Sequence, residues 1–171
     1  MQVWILGSSG GQSAEVAGRH GLPFAANYHV SPATVLEAAE AYRAAFRPSA
    51  VLDRPFLQVS ADAVVAPDDV TARELAAPYG LWVRSIRTGG GAMRFASPQE
   101  AAAYEWTEED RELVADRVST QFVGSPATVA KGLRVLQDAT GADEILVTTI
   151  THDHSDRVRS YELLAREWGQ V

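Results

Sequence analysis

The residues best spaced for chemistry lie near the start of the chain, in Gly7-Ser8-Ser9-Gly10-Gly11-Gln12-Ser13. A phosphate dianion needs several N–H donors and close backbone approach. Gly10 and Gly11 have no Cβ to obstruct it. The residues that follow read as a helix, whose first N–H groups are unpaired and whose leading end is positive. Ser8, Ser9 and Ser13 add hydroxyl donors. The pattern suits a phosphate-bearing ligand. It also suits a tight strand-to-helix turn in which Ser9 or Ser13 caps the helix.

Other residues carry weaker signals. Strand alternation over residues 24–30 points Ala25, Asn27 and His29 one way and Phe24, Ala26 and Tyr28 the other. His29 then ends a strand, either facing a site or bonded to backbone. His152, Asp153, His154 and Asp156 have metal-ligand chemistry, but no third well-spaced ligand accompanies them, so a polar loop and helix cap is expected and no metal. Arg84, Arg87 and Arg94 flank Thr88-Gly89-Gly90-Gly91. They suit either closure over an anion or a solvated, flexible insertion. Asp53-Arg54 reads as a structural turn, and Trp4, Trp82, Trp106 and Trp168 as packing residues. Nucleophile-elbow, Walker and dinucleotide fingerprints are missing.

These residues need a scaffold, and the chain alternates strand and helix signals. Strands are expected at residues 3–6, 24–30, 56–66 and 144–149. Helices are expected at 13–20, 34–46, 70–77, 107–118, from Pro126 to about residue 138, and at 157–168. Ser31-Pro32 and Ser125-Pro126 are cap-plus-proline starts. Gly21 followed by Pro23 marks a helix stop. Residues 85–121 read as an inserted loop-helix segment. Four strand-helix units in this order imply an α/β fold with parallel strands and right-handed crossovers, in a single domain over residues 1–171.

Composition narrows the class of function. Hydrophobic residues are 46% and charged residues 22%, an ordinary globular balance. The net charge is -7, and Lys131 is the one lysine. Nucleic acid and anionic membranes are therefore not expected as partners. There are no cysteines, which excludes disulfides and thiolate chemistry. The first residues lack a leader pattern, and no stretch has the length to span a bilayer, so a cytoplasmic location is expected.

Several phrases, in order along the chain, together resemble the luciferase-like, flavin-dependent monooxygenases. They are Trp4-Ile5-Leu6-Gly7-Ser8-Ser9, Ser13-Ala14 with Gly21-Leu22-Pro23, His29, Leu52-Asp53-Arg54-Pro55, Phe122-Val123-Gly124-Ser125-Pro126 with Thr128-Val129, Thr140-Gly141-Ala142-Asp143-Glu144, and Asp153-His154 through Arg159-Ser160-Tyr161-Glu162-Leu163-Leu164-Ala165. The resemblance implies the C-terminal half of a TIM-like (β/α)8 barrel, with a helical insertion before the last unit. Departures are the missing first half and the polar Asn27-Tyr28 pair, where the family often has small or apolar residues.

The resemblance further implies a reduced-flavin oxidoreductase that uses FMN and O2 on an organic substrate, with F420 as the alternative cofactor. Its expected cofactor-binding residues are Ser8, Ser9, Gly10, Gly11, Ser13, Asn27 and His29. No catalytic acid or base is assigned. The expected partners are flavin, a small organic substrate and a flavin reductase, and a dimer or larger homo-oligomer is expected. The alternative is a non-catalytic half-barrel that binds flavin or only oligomerises.

Overall fold

The computed structural model describes residues 3–169. Its strands are β1 (Ile5–Gly7), β2 (Phe24–Asn27), β3 (Leu57–Val65), β4 (Phe122–Gly124) and β5 (Glu144–Thr148). Its helices are α1 (Gln12–Arg19), α2 (Val35–Ala45), α3 (Asp69–Ala76), α4 (Pro78–Arg87), α5 (Pro98–Ala102), α6 (Glu108–Val118), α7 (Pro126–Thr140) and α8 (His154–Trp168). The strands form one five-stranded sheet in the order β1-β2-β3-β4, with β5 also paired to β3. β1–β2, β2–β3 and β3–β4 are parallel. Along β3 and β5, Leu57–Asp143, Gln58–Glu144 and Ala63–Thr149 are hydrogen-bonded partners at a constant separation of 86 residues. A constant separation means that the two strands advance together, so this pair is parallel as well.

The expected α/β alternation is thus present, with three differences in detail. Phe122-Val123-Gly124 adds a short strand, because its backbone pairs with residues 63–65 of β3. β2 stops at Asn27 rather than residue 30, because the Asn27 carbonyl accepts from Val30 N–H (3.3 Å) and Ser31 N–H (3.0 Å) and turns the chain. The helical signal at 70–77 continues as a second helix, α4, to Arg87. Pro78 sits in its first turn, where a missing N–H costs nothing.

The chain divides into two compact units, Met1–Ala61 with Leu133–Val147, and Asp62–Gly132 with Thr148–Val171. In the first, α1 and α2 pack on β1 and β2. Phe24, Leu57, Val59 and Tyr42 are fully buried there. Each such side chain contributes roughly 1.5–3 kcal/mol on leaving water. Tyr42 meets Phe24 with ring centroids 5.3 Å apart. Its hydroxyl donates to Leu22 O (2.9 Å) and accepts from Phe56 N–H (3.0 Å), so one side chain satisfies backbone just before both β2 and β3. Gly21, at φ +59°, closes α1 where a Cβ would lie 2.5 Å from Arg47 O.

The second unit has its own core. Tyr79, Val83 and Val114 are buried against Trp82, Phe95, Trp106, Leu113 and Ile150. Buried Asp62 accepts from the Tyr79 hydroxyl (3.2 Å) and from the Thr148 hydroxyl. Arg117 Nη2 donates to the same Tyr79 oxygen at 3.0 Å. Burial, foremost, pushes the Tyr79 hydroxyl above its ordinary value, so it remains a donor to Asp62.

Candidate functional site

The glycine-serine loop joins β1 to α1. Gly7 ends β1 and pairs with Ala26, one residue before β2 ends. The loop and the Asn27 turn therefore leave the C-terminal ends of neighbouring parallel strands, the edge at which α/β proteins place their ligands. Gly7 must be glycine for packing reasons. A Cβ there would lie 2.9 Å from Ser13 Cβ and 3.1 Å from the Phe24 ring.

α1 has Gly11 at its N-cap, and no side chain caps it. The expectation that Ser9 or Ser13 performs that duty is not met. Gly11 takes the cap position in extended geometry, and Ser13 is already inside the helix. The consequence is chemical. The first-turn amides have no side-chain acceptor, and the end of the dipole is uncompensated by a cap. Ser9, Gly11 and Ser13 are exposed, and Ser8 and Gly10 are half-buried. The Thr34 hydroxyl donates to Ser8 O, which ties the loop to the start of α2. The loop is thus anchored through a carbonyl, its helix start has no side-chain cap, and the Glu37 side chain stands against Gly10.

Asn27 and His29 are brought together by a residue that sequence reasoning missed. The Ser60 hydroxyl is 2.7 Å from His29 Nδ1 and 3.4 Å from Asn27 Oδ1. His29 N–H also donates to Ser60 O at 3.3 Å. Ser60 is buried, and β2–β3 register places it opposite Asn27. The only signal available beforehand was a hydroxyl at an alternate position of a long apolar strand. This arrangement fixes the imidazole plane and leaves Nε2 as its second polar atom.

The three arginines around the glycine run are committed elsewhere. Arg84 pairs with Asp110 and lies 5.6 Å over the Tyr104 ring. Arg87 makes two bonds to Asp116, at 2.5 and 2.8 Å. Arg94 pairs with Glu100 at 3.2 Å. Each is neutralised by a carboxylate from the helices that follow, so closure over an anion would first require breaking these pairs.

His152 Nδ1 lies 3.2 Å from Phe95 O. Asp153 occupies the N-cap position of α8, without a side-chain cap bond. Among the described residues no group of three or more His, Cys, Asp or Glu is placed to hold a metal ion. Arg54 pairs with Asp143 at 2.9 Å, and Asp143 also accepts from Leu57 N–H, so Asp53-Arg54 leads into a braced strand start. Among the described residues no helix is long and apolar enough to cross a membrane.

Comparison with known proteins adds to this geometry. The family model for luciferase-like monooxygenases matches residues 1–144. The uncharacterized protein YvbT of Bacillus subtilis (strain 168) is 38% identical over 97% of this chain and 49% of its own length. The crystal structure of apo-MsnO8 superposes with a TM-score of 0.87 at 32% identity, over 99% of this chain and 51% of that one. The oxygenating constituent of 3,6-diketocamphane monooxygenase from Pseudomonas putida, solved in complex with FMN, has a TM-score of 0.63 at 21% identity, over 97% and 47% of the two chains. That last likeness is one of fold. The chain spans about half the length of the relatives it matches.

Proposed function

Since this chain belongs to the luciferase-like monooxygenase family, we propose that it supplies the phosphate-anchoring half of a reduced-flavin monooxygenase acting with O2 on a small organic substrate. The carrying observation is the uncapped start of α1. An anion can take the place that a cap side chain would fill. The Ser9 and Ser13 hydroxyls and the backbone of Gly10 and Gly11 would hold the phosphate, with Ser8 positioned by Thr34. Asn27, at the end of the neighbouring strand, and His29, in the turn that follows it, would face the rest of the cofactor or the substrate, with the imidazole oriented by Ser60. Bound reduced flavin supplies the electrons that O2 needs to oxidise the substrate. The residues of this chain bind, orient and exclude water. FMN is the first choice of cofactor and the deazaflavin F420 the alternative. The reading includes the C-terminal half of a barrel, a flavin reductase as electron source and a cytoplasmic site of action.

The test is anaerobic titration of the protein with reduced FMN and separately with reduced F420, followed by oxygen uptake coupled to a flavin reductase and NAD(P)H. Binding of FMN supports the anchor, and oxygen consumed without an equal yield of hydrogen peroxide when organic substrates are added supports the enzyme. Loss of both signals removes the flavoprotein reading. Preference for F420 keeps the site but changes the reaction from oxygenation to hydride transfer, since a deazaflavin does not activate O2.

A second reading, a half-barrel that pairs with another half, rests on one face of the first unit. Phe24, Leu57 and Val59 are fully buried under the helices. On the opposite face, Leu6 pairs with Ala25, and the 86-residue separation sets Leu146 beside Ser60. Leu6 is 62% exposed and Leu146 46% exposed. Parallel sheets are covered on both faces, so this face, on which the exposed Leu6 and Leu146 lie among Asn27, Gln58 and Ser60, calls for a partner: the rest of a barrel or a second copy. Sedimentation at micromolar concentration is expected to give a dimer or larger, and Leu6→Glu with Leu146→Glu to dissociate it. A wild-type protein that sediments strictly as a monomer counts against self-pairing.

A further inference from the structure

In the second unit, α3, α4, α6 and β4 border a cavity of about 760 Å3. That volume lies in the range of small-molecule sites, roughly 300–1,000 Å3. Its walls are mostly apolar and include Gly80, Trp106, Val114 and Val118. Gly80 shapes it. A Cβ there would lie 2.9 Å from Trp106 Cη2 and 3.7 Å from Val118 Cγ2, so any side chain would enter the space beside the indole. Val118 is an exposed large hydrophobic residue, the apolar surface that a ligand would cover.

The charge of the lining runs against that of the chain. The protein has 22 acidic and 15 basic residues, yet the charged lining residues are Arg73 and Arg111, with no acid among them. Arg111 has one exposed partner, Glu108, at 3.5 Å. Such a pair is weak and exchangeable. Arg73 makes no close ion pair among the described residues and is attracted to Asp69 at longer range. Two available guanidinium groups beside an apolar, tryptophan-walled space match a ligand with one anionic end and one apolar end. The indole favours an aromatic ring at the apolar end. A carboxylate suits the planar donor forks of arginine.

We propose that this cavity is a binding site for a small arylalkanoic acid, its ring against Trp106 and the valines and its carboxylate between Arg73 and Arg111. The site belongs wholly to the second unit and requires nothing of the phosphate loop.

The test is calorimetric titration of the intact chain with 4-phenylbutyrate and with the neutral 4-phenylbutan-1-ol. The acid is expected to bind about tenfold more tightly than the alcohol, and Arg73→Gln with Arg111→Gln to remove roughly that factor for the acid alone. Glu108→Gln, which frees Arg111, is expected to tighten the acid. Trp106→Phe should abolish the tryptophan fluorescence change on binding, and Gly80→Leu should block both ligands. Should Gly80→Leu fail to fold, the arginine pair, which changes exposed side chains only, carries the test. Ser9→Ala with Ser13→Ala should leave 4-phenylbutyrate binding unchanged. Equal affinity for acid and alcohol, an unchanged affinity in the arginine variant, or no heat with either ligand overturns the proposal.

Discussion

The carboxylate of Glu37 stands against the backbone of Gly10: a methyl group built on Gly10 would lie 2.8 Å from both Cγ and Oε1 of Glu37. Glu37 is in the first turn of α2, whose start is tied to the same loop through Thr34 and Ser8. A negative charge therefore borders the backbone assigned to a phosphate. Two like charges about 4 Å apart at a water-exposed site repel by roughly 1 kcal/mol, a factor of about five in affinity. Glu37→Gln is expected to tighten FMN binding by about that factor, read by quenching of flavin fluorescence, and to shrink the difference as salt is raised. An unchanged affinity at low salt would place the phosphate away from Gly10.

Replacing Ser9 and Ser13 together by alanine separates anchoring from capping. Neither hydroxyl caps α1, so helix content by circular dichroism should stay as in the wild type. Two hydroxyl donors to a charged acceptor contribute about 1.5–3 kcal/mol each where they are made, so FMN affinity should fall at least tenfold. A dissociation constant equal to that of the wild type would mean that the loop is only a turn.

The contrast between these serines and Ser60 shows what could be read in advance. Gly7 to Ser13 announced a strand-loop-helix junction because glycines and hydroxyls cluster locally. The cap itself went to Gly11, since capping depends on where the helix axis begins and that is set by packing of Ala14 and Ala17 in the core. Ser60 was invisible because its role depends on register. It meets Asn27 and His29 only after β2 and β3 pair, across more than thirty residues of chain. The arginines followed the same rule. Around the glycine run, Arg84, Arg87 and Arg94 suit either closure over an anion or a solvated insertion, and the carboxylates that pair with them lie 6 to 29 residues further along. The strand at 122–124 exists because β3 offers it a partner. Strong local signals, such as Thr107 ahead of α6, were legible: its hydroxyl accepts from Asp110 N–H at 3.1 Å.

Tyr42→Phe is a test of how the first unit is held together. The ring would keep its packing against Phe24, and only the hydroxyl would be lost. Leu22 O and Phe56 N–H would both lose their partner. Both groups are half-buried, so the cost is at most the roughly 1–3 kcal/mol of a fully buried orphan. The midpoint of urea unfolding should fall accordingly with an unchanged slope. A loss below about half a kcal/mol would show that water replaces the hydroxyl at both strand entries.

Asp110 should make the second unit acid-sensitive. The Arg84 guanidinium beside it, helped by the Tyr104 and Thr107 hydroxyls, outweighs burial and holds its carboxyl down from 3.8 to about 2. The unfolded chain therefore takes up the proton more readily than the folded one. The resulting stabilisation is complete above 3.8 and is lost as pH falls from 3.8 through about 2. Asp110→Asn removes the titrating group and leaves Arg84 without its counter-charge. The variant should be less stable than the wild type at neutral pH by urea unfolding, and the gap should close over that acidic interval. A gap that stays constant into the acid range would assign the stabilisation to packing around Tyr104 and Trp106 rather than to the ion pair.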